Sequence, residues 1–164
     1  MVNSLRFCTK VGIIVSEEIL DEILCDAPNA KYAVTFDPLD GSSNIDCNVS
    51  VGTIFGVWRR VTDPSGPMTK EDVMQSGTAM AGAGYCMYGS ATQMVVSVGS
   101  GVHVFTLDPA LGEFCLTSSD IKIKPYHTIY STNEGNTCFW DDAMKTYVAK
   151  CKEGPKPFSS RYIG

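Results

Sequence analysis

Histidine is scarce: His103 and His127 are the two in 164 residues, and they lie apart in sequence. Both read as structural rather than catalytic. No two of the seven cysteines (Cys8, Cys25, Cys47, Cys86, Cys115, Cys138, Cys151) form a Cys-x-x-Cys pair, and their number is odd. That argues against a disulfide scaffold or a zinc site and predicts reduced, mostly buried thiols in a reducing compartment. Long apolar runs are missing too. The run at 11–15 is too short for a membrane span or a signal-peptide core. Positive charge does not dominate: 13 Lys and Arg face 18 Asp and Glu, for a net charge of −5. General binding to nucleic acid or to a membrane surface is therefore not expected. No internal repeat or low-complexity stretch occurs. With 44% apolar and 19% charged residues, the chain reads as globular, long enough for one domain with a sizeable core.

What is present centres on residues 36–46, Phe-Asp-Pro-Leu-Asp-Gly-Ser-Ser-Asn-Ile-Asp. An apolar run at 32–36 leads in and an alternating run at 48–58 leads out, so a strand feeds a tight loop that feeds a strand. Pro38 fixes one φ and removes one N–H donor. Asp37 and Asp40 can then turn toward one point. Gly41, Ser42 and Ser43 offer backbone N–H groups and hydroxyls to an anion such as phosphate. Carboxylates beside anion donors call for a cation between them, and hard oxygen ligands favour Mg²⁺ or Mn²⁺. A plain acidic turn is the competing reading, because Asp-Pro and Asp-Gly are turn chemistry. Residues 108–113 provide a control. They also begin Asp-Pro, but lack the second acid and the serines, and there the turn reading holds.

Around this stretch the pattern predicts a helix end at 1–10, a buried strand at 11–15 and a loop or short excursion at 19–30. A long strand follows at 48–60, with Val49, Val51, Thr53, Phe55 and Val57 on one face. Thr69 is a candidate cap with Asp72 three residues on. The Ala- and Gly-rich stretch 78–88 suits a tightly packed helix. A strand is expected at 93–98, a hairpin at 102–117, and short strands at 121–123 and 128–130. Over 141–152 a helix places Met144, Tyr147, Val148 and Cys151 on one apolar face. Many strands and few helices, in blocks, give an α+β class with mixed sheets.

Residues 36–47, continued by Val49-Ser50-Val51-Gly52-Thr53-Ile54-Phe55-Gly56, resemble the signature of the fructose-1,6-bisphosphatase family. The core 37–42 resembles the wider Mg²⁺-dependent sugar and inositol phosphatase superfamily. The blocks 84–90, 107–114, 133–136 and 161–164 match the bisphosphatases too. The resemblance runs from about Lys10 to Gly164.

It implies the layered α/β/α/β/α sandwich of the inositol monophosphatase-like superfamily, incomplete at both ends. Family members are about twice this length, so the chain resembles a central fragment. The family's own boundary falls near 118–125, dividing a metal-binding and effector half (about 1–120) from the start of a substrate-binding half (about 121–164). The resemblance assigns Glu17, Asp37 and Asp40 as metal ligands, with Leu39 giving its carbonyl. Glu18 becomes the group that accepts a proton from the attacking water. Asp40, Gly41, Ser42 and Ser43 hold the phosphate being transferred. Asn133 and Asn136 line the sugar-phosphate pocket, and Arg161 and Tyr162 grip the distal phosphate. Lys31, Tyr32 and Arg59 match positions that bind the inhibitor AMP. Two departures stand out. Many members carry a third acid where this chain has Ile19, and many animal members have tyrosine where it has Asn136, as plant-like members do not.

The implied reaction is Mg²⁺-dependent hydrolysis of the 1-phosphate of fructose 1,6-bisphosphate in gluconeogenesis, by a homotetramer. A sedoheptulose-bisphosphatase or another sugar phosphatase is the neighbouring alternative. A non-catalytic remnant that binds paralogous subunits is the alternative from another class. The plastid type carries an extra cysteine-bearing loop, whereas residues 61–77 hold no cysteine. A cytoplasmic form is therefore expected, with a plastid location as the alternative. A further carboxylate and a phosphate-binding lysine of the family fall outside this sequence, so residues 1–164 alone are expected to be inactive.

Overall fold

Strands dominate the chain because its apolar residues are β-branched or aromatic and mostly alternate. In order they are β1 (Val11–Ser16), β2 (Ile19–Leu24), β3 (Tyr32–Asp40), β4 (Val51–Arg59), β5 (Met80–Tyr88), β6 (Thr92–Ser97), β7 (Val102–Asp108) and β8 (Glu113–Ser118). In the computed structural model, which describes residues 1–161, they form one eight-stranded sheet ordered β2-β1-β3-β4-β5-β6-β7-β8. The β1–β3 pair is parallel and the other pairs are antiparallel. A short helix, α1 (Val2–Arg6), precedes β1.

The sheet buries both faces at its β1–β3–β4 centre. On one face Val11, Ile14, Val34 and Phe36 cluster, with Val2 and Leu5 of α1, Ile23 and Phe55 packed against them. On the other, Ile13, Ala33 and Trp58 pack with Ala30 and Met68. Ile13 and Ile14 are both 0% exposed, one to each face. Burying each such side chain is worth about 1.5–3 kcal/mol, which is why the parallel pair lies inside the sheet.

Met1–Lys122 form one compact unit and the residues from Ile123 form a second. The second holds β9 (Ile129–Tyr130) and β10 (Ser159–Ser160), paired in parallel, and helix α2 (Asp142–Lys152). Asp141 caps α2, its Oδ1 accepting from the Met144 N–H at 2.7 Å. Val148 and Cys151 of α2 pack on Tyr130, with Met144 at the margin. Tyr147, expected on that face, is exposed instead. No helix among the described residues is long and apolar enough to cross a membrane.

Several expectations are corrected. Residues 19–24 form β2 rather than a loop, because the chain turns back at Glu17-Glu18 and pairs Ile19 with Ser16 and Leu24 with Ile13. Its paired apolar and acidic residues mask the alternation. Residues 80–88 form β5 rather than a helix. Tight lateral packing explains the glycines there: a Cβ on Gly84 would sit 2.6 Å from the Val95 carbonyl oxygen and 2.7 Å from Phe55. Residues 121–123 form no strand, since Asp120 adopts a left-handed φ of 49° that turns the chain out of β8. β3 runs on through Asp40 instead of ending at Phe36. The thiols are not mostly buried: Cys151 is buried, Cys8, Cys25 and Cys86 are half-buried, and Cys47, Cys115 and Cys138 are exposed on turns or the β8 edge.

Thr69 does cap a turn, a single 3-10 turn at Lys70–Asp72, and Asp72 closes the capping box. Asp72 is 0% exposed. Its carboxylate accepts from the N–H groups of Val61 (2.7 Å), Thr62 (3.0 Å) and Thr69 (3.0 Å) and from the Thr62 hydroxyl (2.7 Å). Burial acts to raise its pKa, but these bonds from Thr62, Thr69 and Val61 outweigh it and hold the carboxyl below its usual range. A lowered folded-state pKa gives stability that is present above the ordinary carboxylate pKa and lost as pH falls through the lowered value. Asp72→Asn turns an amide donor toward these donors. It is expected to cost about 2 kcal/mol at neutral pH and to flatten the loss of stability on acidification. Urea unfolding of both proteins at neutral and acidic pH checks this, and equal midpoints at neutral pH would contradict it.

Candidate metal and phosphate site

The parallel pairing of β1 and β3 runs to the end of β1. Ser16 of β1 pairs with Phe36 of β3, and the Glu17 N–H donates to the Phe36 carbonyl at 3.1 Å. Glu17 thus leaves β1 beside Phe36, one residue before Asp37, which stays in β3. Glu18 starts the turn into β2. One carboxylate oxygen from each of Glu17, Glu18 and Asp37 lies within 4.8 Å of the others. The two glutamates are exposed and Asp37 is half-buried. Octahedral Mg²⁺ at its usual oxygen distance holds its ligands on the order of 3–4 Å apart. Small side-chain rotations would therefore let all three reach one hard divalent cation, and the donor set fits such an ion.

A β-bulge sets the second acid. Asp37 pairs with Ile54 and Asp40 with Gly52, so Pro38 and Leu39 together oppose Thr53. Acids three apart on a regular strand face opposite ways; the extra residue puts Asp37 and Asp40 on one face. Asp40 is exposed and is not among the three carboxylates that converge. The Leu39 N–H donates to Asp37 Oδ1 at 2.9 Å, fixing the aspartate at the bulge. The Pro38 carbonyl accepts from the Thr53 hydroxyl at 2.9 Å.

Gly41 then takes a left-handed φ of 85°, and Ser42–Cys47 wind into 3-10 turns. Ser42 and Ser43 are exposed. Beside the acids, a trough of about 560 Å³ crosses the sheet, bounded by Val15, Thr35, Ile54, Tyr85, Val95 and Val102, with Glu17 and Asp37 at one end. Its apolar lining would strengthen charge interactions at that end.

Other expected residues lie elsewhere. Arg59 and Tyr32 pair across β3 and β4, with the guanidinium carbon 5.8 Å from the ring centroid. Lys31 is exposed next to them. His103 accepts from the Asp120 N–H at 3.4 Å. In the second unit, Asn133 caps the turn Glu134–Phe139 and accepts from the Gly135 N–H at 3.0 Å, while the Asn136 N–H donates to the Asn133 carbonyl. Arg161 follows β10, and its N–H donates to the Tyr130 carbonyl at 3.0 Å. The Asn133 turn and Arg161 thus both follow the C-terminal ends of a parallel strand pair. Tyr162 lies outside the described residues.

Three participants were not legible in the sequence. Glu134 accepts from the Tyr130 hydroxyl at 2.8 Å and from Lys152 of α2, bracing the turn that carries Asn133 and Asn136. Thr53 and Tyr88 stand behind the bulge. A lone acid in an Asn-Glu-Gly-Asn turn and a threonine in a strand give no local signal; their partners are distant in sequence.

A model of the family described as fructose-1-6-bisphosphatase, N-terminal domain, matches residues 1–119. The chain is 52% identical over 168 residues to the cytosolic fructose-1,6-bisphosphatase of Oryza sativa subsp. indica, covering 100% of this chain and 48% of that protein. To the cytosolic enzyme of Solanum tuberosum it is 53% identical over 168 residues, again covering 100% and 48%. To that of Arabidopsis thaliana it is 50% identical over 167 residues, covering 99% and 48%. The chain spans about half the length of the curated relatives it matches.

The hydrogen bond to Glu134, and then burial, raise the Tyr130 pKa, while Lys152, and then Tyr130, lower that of Glu134. Glu134→Gln is expected to bring the Tyr130 ionisation down toward the ordinary tyrosine value. An NMR titration with labelled tyrosine reads this directly, and an unmoved titration would contradict the bracing network.

Proposed function

Because the chain belongs to the fructose-1,6-bisphosphatase family, we propose that the protein hydrolyses the 1-phosphate of fructose 1,6-bisphosphate to fructose 6-phosphate and phosphate, with Mg²⁺ or Mn²⁺ bound. The family's fold is the inositol monophosphatase-like α/β sandwich, which the mixed eight-stranded sheet fits. Its members are phosphatases and are generally metal-dependent. The observation that carries the reading is the convergence of Glu17, Glu18 and Asp37 at the Asp-Pro-Leu-Asp-Gly-Ser segment that ends β3.

In this reading Glu17, Asp37 and Asp40 hold the cation, with the Leu39 carbonyl. A bound divalent ion polarises the phosphoryl group and lowers the pKa of water beside it. Glu18 accepts the proton that the attacking water gives up as its oxygen bonds to phosphorus and the ester oxygen leaves. Backbone N–H groups and hydroxyls at Gly41, Ser42 and Ser43 hold the phosphoryl oxygens, as neutral donors that tolerate nearby carboxylates. Asn133, Asn136, Arg161 and Tyr162 take the sugar and its other phosphate, where a guanidinium can bind in bidentate fashion. Lys31, Tyr32 and Arg59 form a cationic, aromatic shelf suited to AMP as an inhibitor. A homotetrameric assembly and a cytosolic location complete the proposal, the latter because the relatives are named cytosolic.

The activity is proposed for the whole protein. Residues 1–164 expressed alone are expected to release no phosphate above background. In the full-length protein, Asp40→Asn is expected to keep the fold and lower activity by about a hundredfold or more, since loss of a direct ligand should cost at least as much as loss of a supporting group. Phosphate release from fructose 1,6-bisphosphate at saturating Mg²⁺ measures this. Activity within about twofold of wild type would remove Asp40 from the site.

A further inference from the structure

We propose that Thr53 and Tyr88 are positioning residues for the carboxylate site, acting through a hydrogen-bond relay that locks the Pro38–Leu39 bulge from the far face of the sheet. The inference rests on the reading that Glu17, Asp37 and Asp40 hold a divalent cation.

Strand parity separates the two faces. Phe36 and Phe55 belong to the cluster on the α1 side, so Thr53, two residues from Phe55, points to that side as well. Asp37 follows Phe36 and therefore points the other way, as does Asp40 beyond the bulge. Thr53 is 6% exposed and lies directly under the bulge. It contacts Pro38 at 2.9 Å and the Tyr88 hydroxyl at 2.9 Å. A carbonyl oxygen accepts and cannot donate, so the single Thr53 hydroxyl hydrogen goes to Pro38. The bond to Tyr88 must then be donated by the tyrosine. The relay has one direction: Tyr88 O–H to Thr53, and Thr53 O–H to the Pro38 carbonyl.

Its geometry is fixed at each step. Thr53 is β-branched and stiff at χ1. It pairs with Cys86 on β5, and Tyr88 is the same-face residue two further along, in the diagonal position that long side chains reach. Pro38 has no N–H, and both Pro38 and Leu39 leave the β3–β4 ladder at the bulge. The Thr53 bond therefore ties down a peptide that the ladder does not hold. Turning that peptide would swing Asp37 and Asp40 relative to Glu17. Supporting groups that orient metal ligands typically change affinity 10–100-fold when removed.

The test is Mn²⁺ binding to the full-length protein, read by the electron paramagnetic resonance of free Mn²⁺, beside circular dichroism and the unfolding midpoint. Thr53→Val keeps the shape and removes the relay. It is expected to weaken Mn²⁺ binding about tenfold or more with an unchanged dichroism spectrum, and to raise the Mg²⁺ concentration for half-maximal activity while kcat at saturating Mg²⁺ holds. Thr53→Ser is expected to restore most of the affinity. Tyr88→Phe, on an exposed ring, is expected to weaken binding in the same direction and carries the test should Thr53→Val not fold. Mn²⁺ affinity unmoved by Tyr88→Phe and by a folded Thr53→Val overturns this inference alone. A wild-type protein that binds no Mn²⁺ overturns the metal reading and this inference with it.

Discussion

Two acids three residues apart on a strand cannot share a face unless one residue is squeezed out of the ladder. The bulge at Pro38–Leu39 does this, and the rest of the site depends on it. Proline suits the position because it has no N–H to leave unpaired. The remaining polar groups of the bulge are tied locally, the Leu39 N–H by Asp37 and the Pro38 carbonyl by Thr53. The chain then leaves β3 through a left-handed Gly41 into tight 3-10 turns.

The parallel β1–β3 pair supplies the third element. It ends β1 beside Phe36 in the middle of β3 and brings Glu17 against the Phe36 carbonyl. That pair is anchored by Ile13 and Ile14, both fully buried and each facing its own apolar cluster. A rigid base under exposed carboxylates is the arrangement that a hard cation needs, since the ligands must meet the ion with little reorganisation.

Much of this was legible in the sequence, for identifiable reasons. The buried strand β1, the alternation of β4 and the hairpin of β7 and β8 follow from strong local patterns, and Thr69 declared itself as a cap. The Asp-Pro-Leu-Asp-Gly-Ser motif pointed to carboxylate and phosphate chemistry from residue types alone. The failures share a cause: tertiary packing overrode local composition. Gly82, Ala83 and Gly84 read as close helix packing, yet they allow close approach between strands, with Phe55 and the Val95 carbonyl occupying the space a side chain would need. β2 has little pattern of its own and exists because β1 offers it an edge. Periodicity had no means of placing a bulge, so the loop after Phe36 was expected where β3 in fact continues. With 80–88 read as a helix, Tyr88 could not be set beside Thr53.

The central claim is that the ends of β1 and β3 form one divalent-cation site. X-ray diffraction from crystals of the full-length protein grown with Mn²⁺, recorded at the manganese absorption edge, tests it most directly. The account predicts an anomalous peak within coordination distance of the carboxylates of Glu17, Asp37 and Asp40. Mn²⁺ bound only elsewhere, with those carboxylates turned to solvent, would contradict it.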